Sequence, residues 1–568
     1  MKFLKRCIAG TVGIFAMALT LWFWLAQPQS NPDRYILSAG DVITLDENHA
    51  SGNAVYVEDG IIRAVGDFDA LQGAFDVPTY GEGTGIVLPG LIEPHTHPIA
   101  SAMLGATVNI SASTHSDRSS VMTTLRDAAD GVMLTPWFVA WGWDPVAVEG
   151  MHPPTLAELD AISPDKPMLI LTQMLHEAFA NSAALTAAGL PLSHGAALHE
   201  LEEVNKVVAQ IPPATDPVVE FLLRRQYQAY ASAGFTEIGI AGAVGRHPDP
   251  VNLLQRVGNR AQAPVGTHLY LLDDQVTDET DLGAEVNFKV PGVKFWLDGS
   301  PFTGGAATAE PYSNSTLVRQ QLGLSHNHSA EVLMDENGFY KQALPYHRDG
   351  RQIAVHVQGE EAVELALNVF ERLQNDAPQP GLRHRLEHNA LITSDQLERA
   401  RDLGVTTGFF VDHITWYGHQ LDALFGLERA ARYMPLGWAA EYGLTFTLHG
   451  DHPATPLDPF QTMETAVTRR GPNGQVVGSE QALTPEQALR AMTLNAAVQL
   501  GVEDRLGSIS VGKQANFTIV DANPLAVSVD NISDIQVLQT IRNGQIADTR
   551  AIAEFTPKMA WRILMSML

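Results

Sequence analysis

His95 and His97 stand two residues apart at the end of an apolar run, Ile86-Val87-Leu88 then Leu91-Ile92, and Pro98 follows at once. Residues i and i+2 of a strand point to the same side. Two imidazoles at this spacing can therefore reach one metal ion from the end of a buried strand. The same pair would also suit a solvated loop, so the downstream residues matter. Lys294 lies inside a second apolar run, Val293-Lys294-Phe295-Trp296-Leu297-Asp298. A buried lysine is costly unless paired or chemically altered, and a salt bridge to Asp298 or Glu387 is the ordinary solution. His356 sits in Ile353-Ala354-Val355-His356-Val357, and His388 closes Arg383-His384-Arg385-Leu386-Glu387-His388. Asp451 ends the stretch Thr445-Phe446-Thr447-Leu448-His449-Gly450-Asp451. Alone, each histidine reads as a core residue bonded to a backbone carbonyl, and Asp451 as a turn former. The set is far less expected by accident than any one member.

Other motifs fall away on context. His384 to His388 spells H-x-x-E-H, which binds metal only on a helix; here Pro380-Gly381 precedes and the stretch alternates like a strand. Gly507 to Gln514 nearly spells a phosphate loop, but Gln514 replaces the magnesium-holding Ser or Thr and a strand follows. No G-x-S-x-G occurs, which argues against a serine hydrolase of that type.

The elements that must position these residues are short apolar strands alternating with helical stretches, a parallel α/β pattern. Eight strands are predicted at Val87–Glu93, Phe235–Ile240, Thr267–Leu272, Val293–Gly299, Ile353–Gly359, His384–Ala390, Thr406–Val411 and Thr445–Asp451. Eight is the number a (β/α)₈ barrel needs, with catalytic groups at the C-terminal strand ends. The count closes only if residues from about 105 to 215 are an insertion. Both chain ends are β-rich: Tyr35 to about Gly85, with a hairpin signal at Asp59-Gly60, and Gly507–Asp521 with Val537–Asp548.

These segments together resemble the amidohydrolase superfamily, specifically its amidohydrolase 3 group of formamide-deformylase-like and exported hydrolases, over about residues 34 to 550. The choice of barrel strands leans on that resemblance. It implies a β-sandwich from residues 32–85 and 505–556 beside a catalytic TIM-type barrel of residues 86–504. It implies two divalent ions, zinc by preference. His95 and His97 with Asp451 would hold one, His356 and His388 the other, and a carboxylated Lys294 would bridge them. A metal-activated hydroxide would attack an amide, formamide or N-acyl C–N bond, with Asp451 as general base. Asn516 and Gly450 depart from the family pattern, which often has Asp and Ser there. His449 and His452 are candidates for partners behind the ligands, and Trp143, Trp296, His413 and Tyr417 for the substrate pocket; Trp141, Phe409, Phe410 and Trp416 also lie near strand ends, where aromatics line a pocket or the core. Two alternatives stay open: a mononuclear deacylase in which Lys294 is structural, and a non-catalytic membrane-tethered binding protein.

The whole composition narrows the partners. Over 568 residues, 36 Lys plus Arg face 64 Asp plus Glu, a net charge of −28, which argues against nucleic acid. The single Cys7 excludes an intramolecular disulfide. Lys2, Lys5 and Arg6 precede an apolar run from Ile8 to Ala26, long enough to span a bilayer. Residues 1–31 thus read as a membrane-anchor helix with a cytoplasmic N-terminus, the body facing a bacterial periplasm. A cleaved signal is the alternative, although bulky Trp24 stands where a small residue is expected. The apolar Met559–Leu568 could add a peripheral membrane contact.

Overall fold

Eight parallel strands carry the centre of the molecule: β1 (Leu91–Thr96), β2 (Phe235–Ala241), β3 (Gly266–Leu272), β4 (Phe288–Trp296), β5 (Gln352–Val357), β6 (Arg385–His388), β7 (Thr406–Phe409) and β8 (Phe446–Leu448). They lie in sequence order in one sheet, each hydrogen-bonded to the next. The structure, a computed structural model, describes residues 30–567 apart from 47–51, 82, 130, 132–135, 149, 174, 176, 199–200, 246, 277–286 and 555. The eight strands form a nearly closed α/β barrel. At the seam between β8 and β1, the His97 N–H donates to the His452 carbonyl at 3.1 Å. The Gly450 N–H donates to the Glu93 carboxylate, also at 3.1 Å. Side chain and loop thus stand in for a backbone ladder.

One predicted strand divides. Val87–Glu93 is not continuous: Ile86–Pro89 pairs antiparallel with Phe517–Val520, and the barrel begins only at Leu91. Pro89 has no N–H to continue a ladder. Gly90 passes so close to Thr236 that a Cβ there would lie 2.4 Å from its hydroxyl oxygen. Ile86–Pro89 is accordingly the splice between the barrel and a second eight-stranded sheet built from both chain ends. The strands expected to form a β-sandwich are hydrogen-bonded as one sheet. Its edge returns on itself through an Ile61 to Gln514 bridge, around a core that includes Tyr35, Val55, Val87, Phe517 and Ile541. The Asp59-Gly60 hairpin forms, both residues at positive φ as its turn type requires.

Between β1 and β2 the chain builds a separate five-stranded sheet, led by Phe138–Trp143 and Met168–Thr172 and covered by Arg118–Ala129 and Leu156–Ile162. Helix Asp216–Ser232 then returns to the barrel. The segment read as an anchor lies, but for Ser30 and Asn31, outside the described residues. Among the described residues no helix is long and apolar enough to cross a membrane. Asn31 is tied down, its N–H to Gln545 and its side-chain amide to the Gly544 carbonyl, both at 3.0 Å.

Candidate metal centre

At the end of β1, His95 is buried and its Nδ1 lies 2.7 Å from Glu387 Oε2 on β6. A carboxylate can only accept here, so the proton sits on Nδ1 and the Nε2 lone pair, 3.6 Å from Asp451 Oδ1, is left for a metal. Glu387 is itself held by Arg385, with Nε at 2.7 Å from one oxygen and Nη2 at 3.1 Å from the other. Arg385 also donates to the Pro94 carbonyl and lies over the Tyr270 ring. This buried ion pair locks β1, β3 and β6 together beneath the histidine.

Glu387 is therefore engaged, and so is Asp298, which accepts from the backbone N–H groups of Ala307, Gln358 and Gly359. The salt bridge that sequence logic expects for Lys294 does not form. Its Nζ is buried without a hydrogen-bond partner among the described residues and lies 5.4 Å from the Trp296 ring centroid. Burial lowers this amine to about 8, because desolvation disfavours the charged form. It is close enough to His95, His388 and His449 to depress their basicity further.

Asp451 follows β8 in the left-handed region, φ 49°. Its Oδ1 is 3.3 Å from His97 Nε2 and 3.6 Å from His95 Nε2, with no hydrogen-bond donor of its own among the described residues. The position depends on Glu93. One Glu93 oxygen accepts the His95 N–H at 3.2 Å and the other the Gly450 N–H at 3.1 Å. One carboxylate therefore sets the spacing between the histidine strand and the aspartate loop. Desolvation raises Glu93 well above the usual carboxylate range. Sequence reading missed it, although the signal was there: an acid inside an apolar strand, on the same side as His95.

The second group differs from expectation. His388 sits at φ 76° at the end of β6, where Asn389 braces the turn through the Leu386 and Gly408 carbonyls. His388 Nδ1 lies 3.1 Å from His449 Nε2. Two sets of donor atoms converge to within 4.8 Å: His95, His97 and Asp451, and His95, His388 and His449. His449, expected behind the ligands, thus brings a ring nitrogen to the same point as His95 and His388. His356 meets His388 edge-on, with ring centroids 4.5 Å apart, yet its Nε2 faces Asp298 Oδ1 at 3.7 Å. Burial holds His95 and His388 well below the ordinary imidazole value and His449 at about 3. Neutral imidazoles, one free carboxylate and an unpaired buried amine fit a divalent cation centre.

Of the four residues proposed for the substrate pocket, Tyr417 lines a cavity of about 270 Å³ between the insert and the loops after β7 and β8. Trp143 does not: it packs in the core of the insert against Phe179. The reason is a bulge at Gly142, φ 103°, where the register shifts between Trp141 and Trp143. A bulge cancels the i, i+2 rule, so Trp141 reaches the cavity wall instead. His413 is buried, bonded to the Tyr433 hydroxyl and packed on Phe410 and Phe302. Trp296 is half-buried and covers Lys294.

Residues 84–548 match the sequence profile of the amidohydrolase family. The N-substituted formamide deformylase of Arthrobacter pascens is 24% identical over 90% of this chain and 97% of its own. Two solved structures share the fold. An uncharacterised metal-dependent hydrolase from Pyrococcus horikoshii OT3 has a TM-score of 0.70 at 21% identity, over 88% of this chain and 99% of that one. Its counterpart from Pyrococcus furiosus has a TM-score of 0.68 at 21% identity, over 87% and 100%.

Proposed function

Since the chain belongs to the amidohydrolase family, and is a metal-dependent hydrolase of C–N bonds, we propose that it cleaves a non-peptide formamide or N-acyl amide at a two-cation centre. The convergence of His95 Nε2 and His97 Nε2 on the otherwise unpaired Asp451 Oδ1 carries this reading. His95, His97 and Asp451 would hold one cation and His388, with His449 or His356, the other; zinc suits these donors. When bound, such ions supply Lewis acidity that polarises a carbonyl and eases the ionisation of water. Asp451 takes the water proton as the C–O bond forms and returns it to the leaving nitrogen as the C–N bond breaks. The products are a carboxylate, or formate, and an amine.

Lys294 has the properties needed to bridge. Lowered to about 8, it is populated as a free amine at neutral pH. Nζ can attack carbon dioxide and lose a proton, which replaces a buried cation by a carbamate oxygen donor. The second reading keeps one cation and a structural Lys294, and the orientation of His356 toward Asp298 favours it.

Metal content and turnover of a formamide and N-acyl amide panel, for wild type, Lys294→Ala and Asp451→Asn, test the proposal. Two ions in the wild type, falling to one in Lys294→Ala with loss of turnover, is the expected result. Full activity of Lys294→Ala would select the single-ion reading. A wild type that binds no divalent ion and turns over nothing would overturn both.

A further inference from the structure

The cavity beside the metal centre has a definite chemical character. Two of its walls are indoles, Trp141 from the insert and Trp416 from helix His413–Tyr417, with Tyr417 beside them. Tyr417 is fixed from both sides: its ring stacks on Phe302 at 3.8 Å and its hydroxyl donates to buried Asp144 at 2.7 Å. Trp141 and Gln173 are each 8% exposed, and Trp141 Nε1 and Gln173 Oε1 have no hydrogen-bond partner among the described residues. A buried donor and a buried acceptor without partners are costly unless something else meets them. Among the described residues no Lys or Arg lines the cavity, and its one carboxylate, Asp144, is taken by the Tyr417 hydroxyl.

The opposite wall is the loop after β8, beginning at His452, the residue next to Asp451. The His452 carbonyl is clamped by the His97 N–H and the Thr96 and Ser101 hydroxyls. In barrels of this kind the loops after the strands share one face with the catalytic groups. The cavity therefore opens on the same face of the barrel as the candidate metal centre, one residue along the chain from Asp451.

We propose that this cavity is the subsite for the leaving amine, and that it selects an uncharged planar ring carrying a hydrogen-bonding substituent such as a hydroxyl. The ring lies between Trp141, Trp416 and Tyr417, and its polar edge meets Trp141 Nε1–H and Gln173 Oε1. This deepens the proposed function and rests on it.

The test compares three N-formyl amines of one length, bearing 4-hydroxyphenyl, phenyl or cyclohexyl on a two-carbon chain, as substrates of the metal-loaded enzyme. Stacking is expected to favour phenyl over cyclohexyl about three- to tenfold in kcat/KM, and hydroxyphenyl to exceed phenyl. Trp416→Ala should erase the ring preference. Trp141→Phe should keep that preference and lose the hydroxyl advantage. In parallel, calorimetric titration of the metal-free full chain with the three amines reads the cavity without turnover, and should give the same order. Equal kcat/KM for all three amides, or equal binding of the three amines, overturns the subsite assignment. No turnover with ordered amine binding would instead overturn the proposed reaction and leave the cavity assignment standing.

Discussion

Glu93 makes the residue-scale case that a group touching no substrate can govern a metal centre. Both of its oxygens accept backbone N–H groups, one from the strand bearing His95 and His97 and one from the loop bearing Asp451. Glu93→Leu removes both acceptors and leaves two buried N–H groups unpaired, each at a cost of about 1–3 kcal/mol. The expected outcome is a folded protein of lower Tm whose metal is stripped by chelators at lower concentration than wild type. Unchanged metal retention would refute the clamp. Asp451→Asn keeps size and one oxygen but removes the proton acceptor. Its kcat should fall by about two to four orders of magnitude, with metal content at least about half that of the wild type. Turnover within a few-fold of wild type, at measured metal content, would remove Asp451 as the base.

Among the elements, β7 and the loop after β8 are joined by Asp412, which accepts from the Thr462 hydroxyl at 2.8 Å and the Thr455 hydroxyl at 3.4 Å. Burial raises this carboxyl from 3.8 to about 7. Between those values the folded state holds a proton that the unfolded chain has lost. Stability from this group is thus full below about 4 and is lost as pH rises through about 7. Asp412→Asn removes the titration while keeping an acceptor. Its Tm relative to wild type should rise between pH 5 and pH 8, and parallel pH profiles in calorimetry would contradict the assignment. Close approach of β1 and β2 offers a second check. A Cβ on Gly239 would sit 2.1 Å from the Pro94 carbonyl oxygen, so Gly239→Ala should cost about 3 kcal/mol or prevent folding. Denaturant unfolding at wild-type midpoint would show that β1 can yield.

For the whole molecule, the described fold is tied at its start by Asn31, whose two hydrogen bonds reach Gln545 and Gly544 at the far end of the chain. Residues 1–29 carry the basic start and the apolar run Ile8 to Ala26, which support our proposal of a membrane anchor with the catalytic body exported. Removing residues 1–29 should leave Tm unchanged and move the protein from the membrane fraction to the supernatant. Removing Asn31 as well should cost about 2 kcal/mol, at about 1 kcal/mol for each lost hydrogen bond. Release of the full-length protein from membranes by salt alone would rule the anchor out.

What the sequence by itself determined is what local periodicity can determine. The i, i+2 spacing put His95 and His97 on one side of a strand, and short apolar runs marked candidate strands, from which the family resemblance picked out the eight of the barrel. The β-rich ends, which hydrogen-bond into one sheet, were legible for the same reason. Tertiary structure decided everything that depends on register between distant strands. Arg385 took Glu387, and three backbone N–H groups took Asp298, so Lys294 was left without the partner its neighbours in sequence had offered. Left-handed turns at His388 and Asp451 swung those side chains toward β1 and brought His449 into the donor set, with His356 turned to Asp298. The bulge at Gly142 exchanged Trp141 for Trp143 at the cavity, and Pro89-Gly90 divided one run between two sheets. A strand's own pattern tells which side each residue faces. Only the packed barrel settles which residues from other strands meet it there, because strand stagger and single backbone irregularities leave no periodic trace.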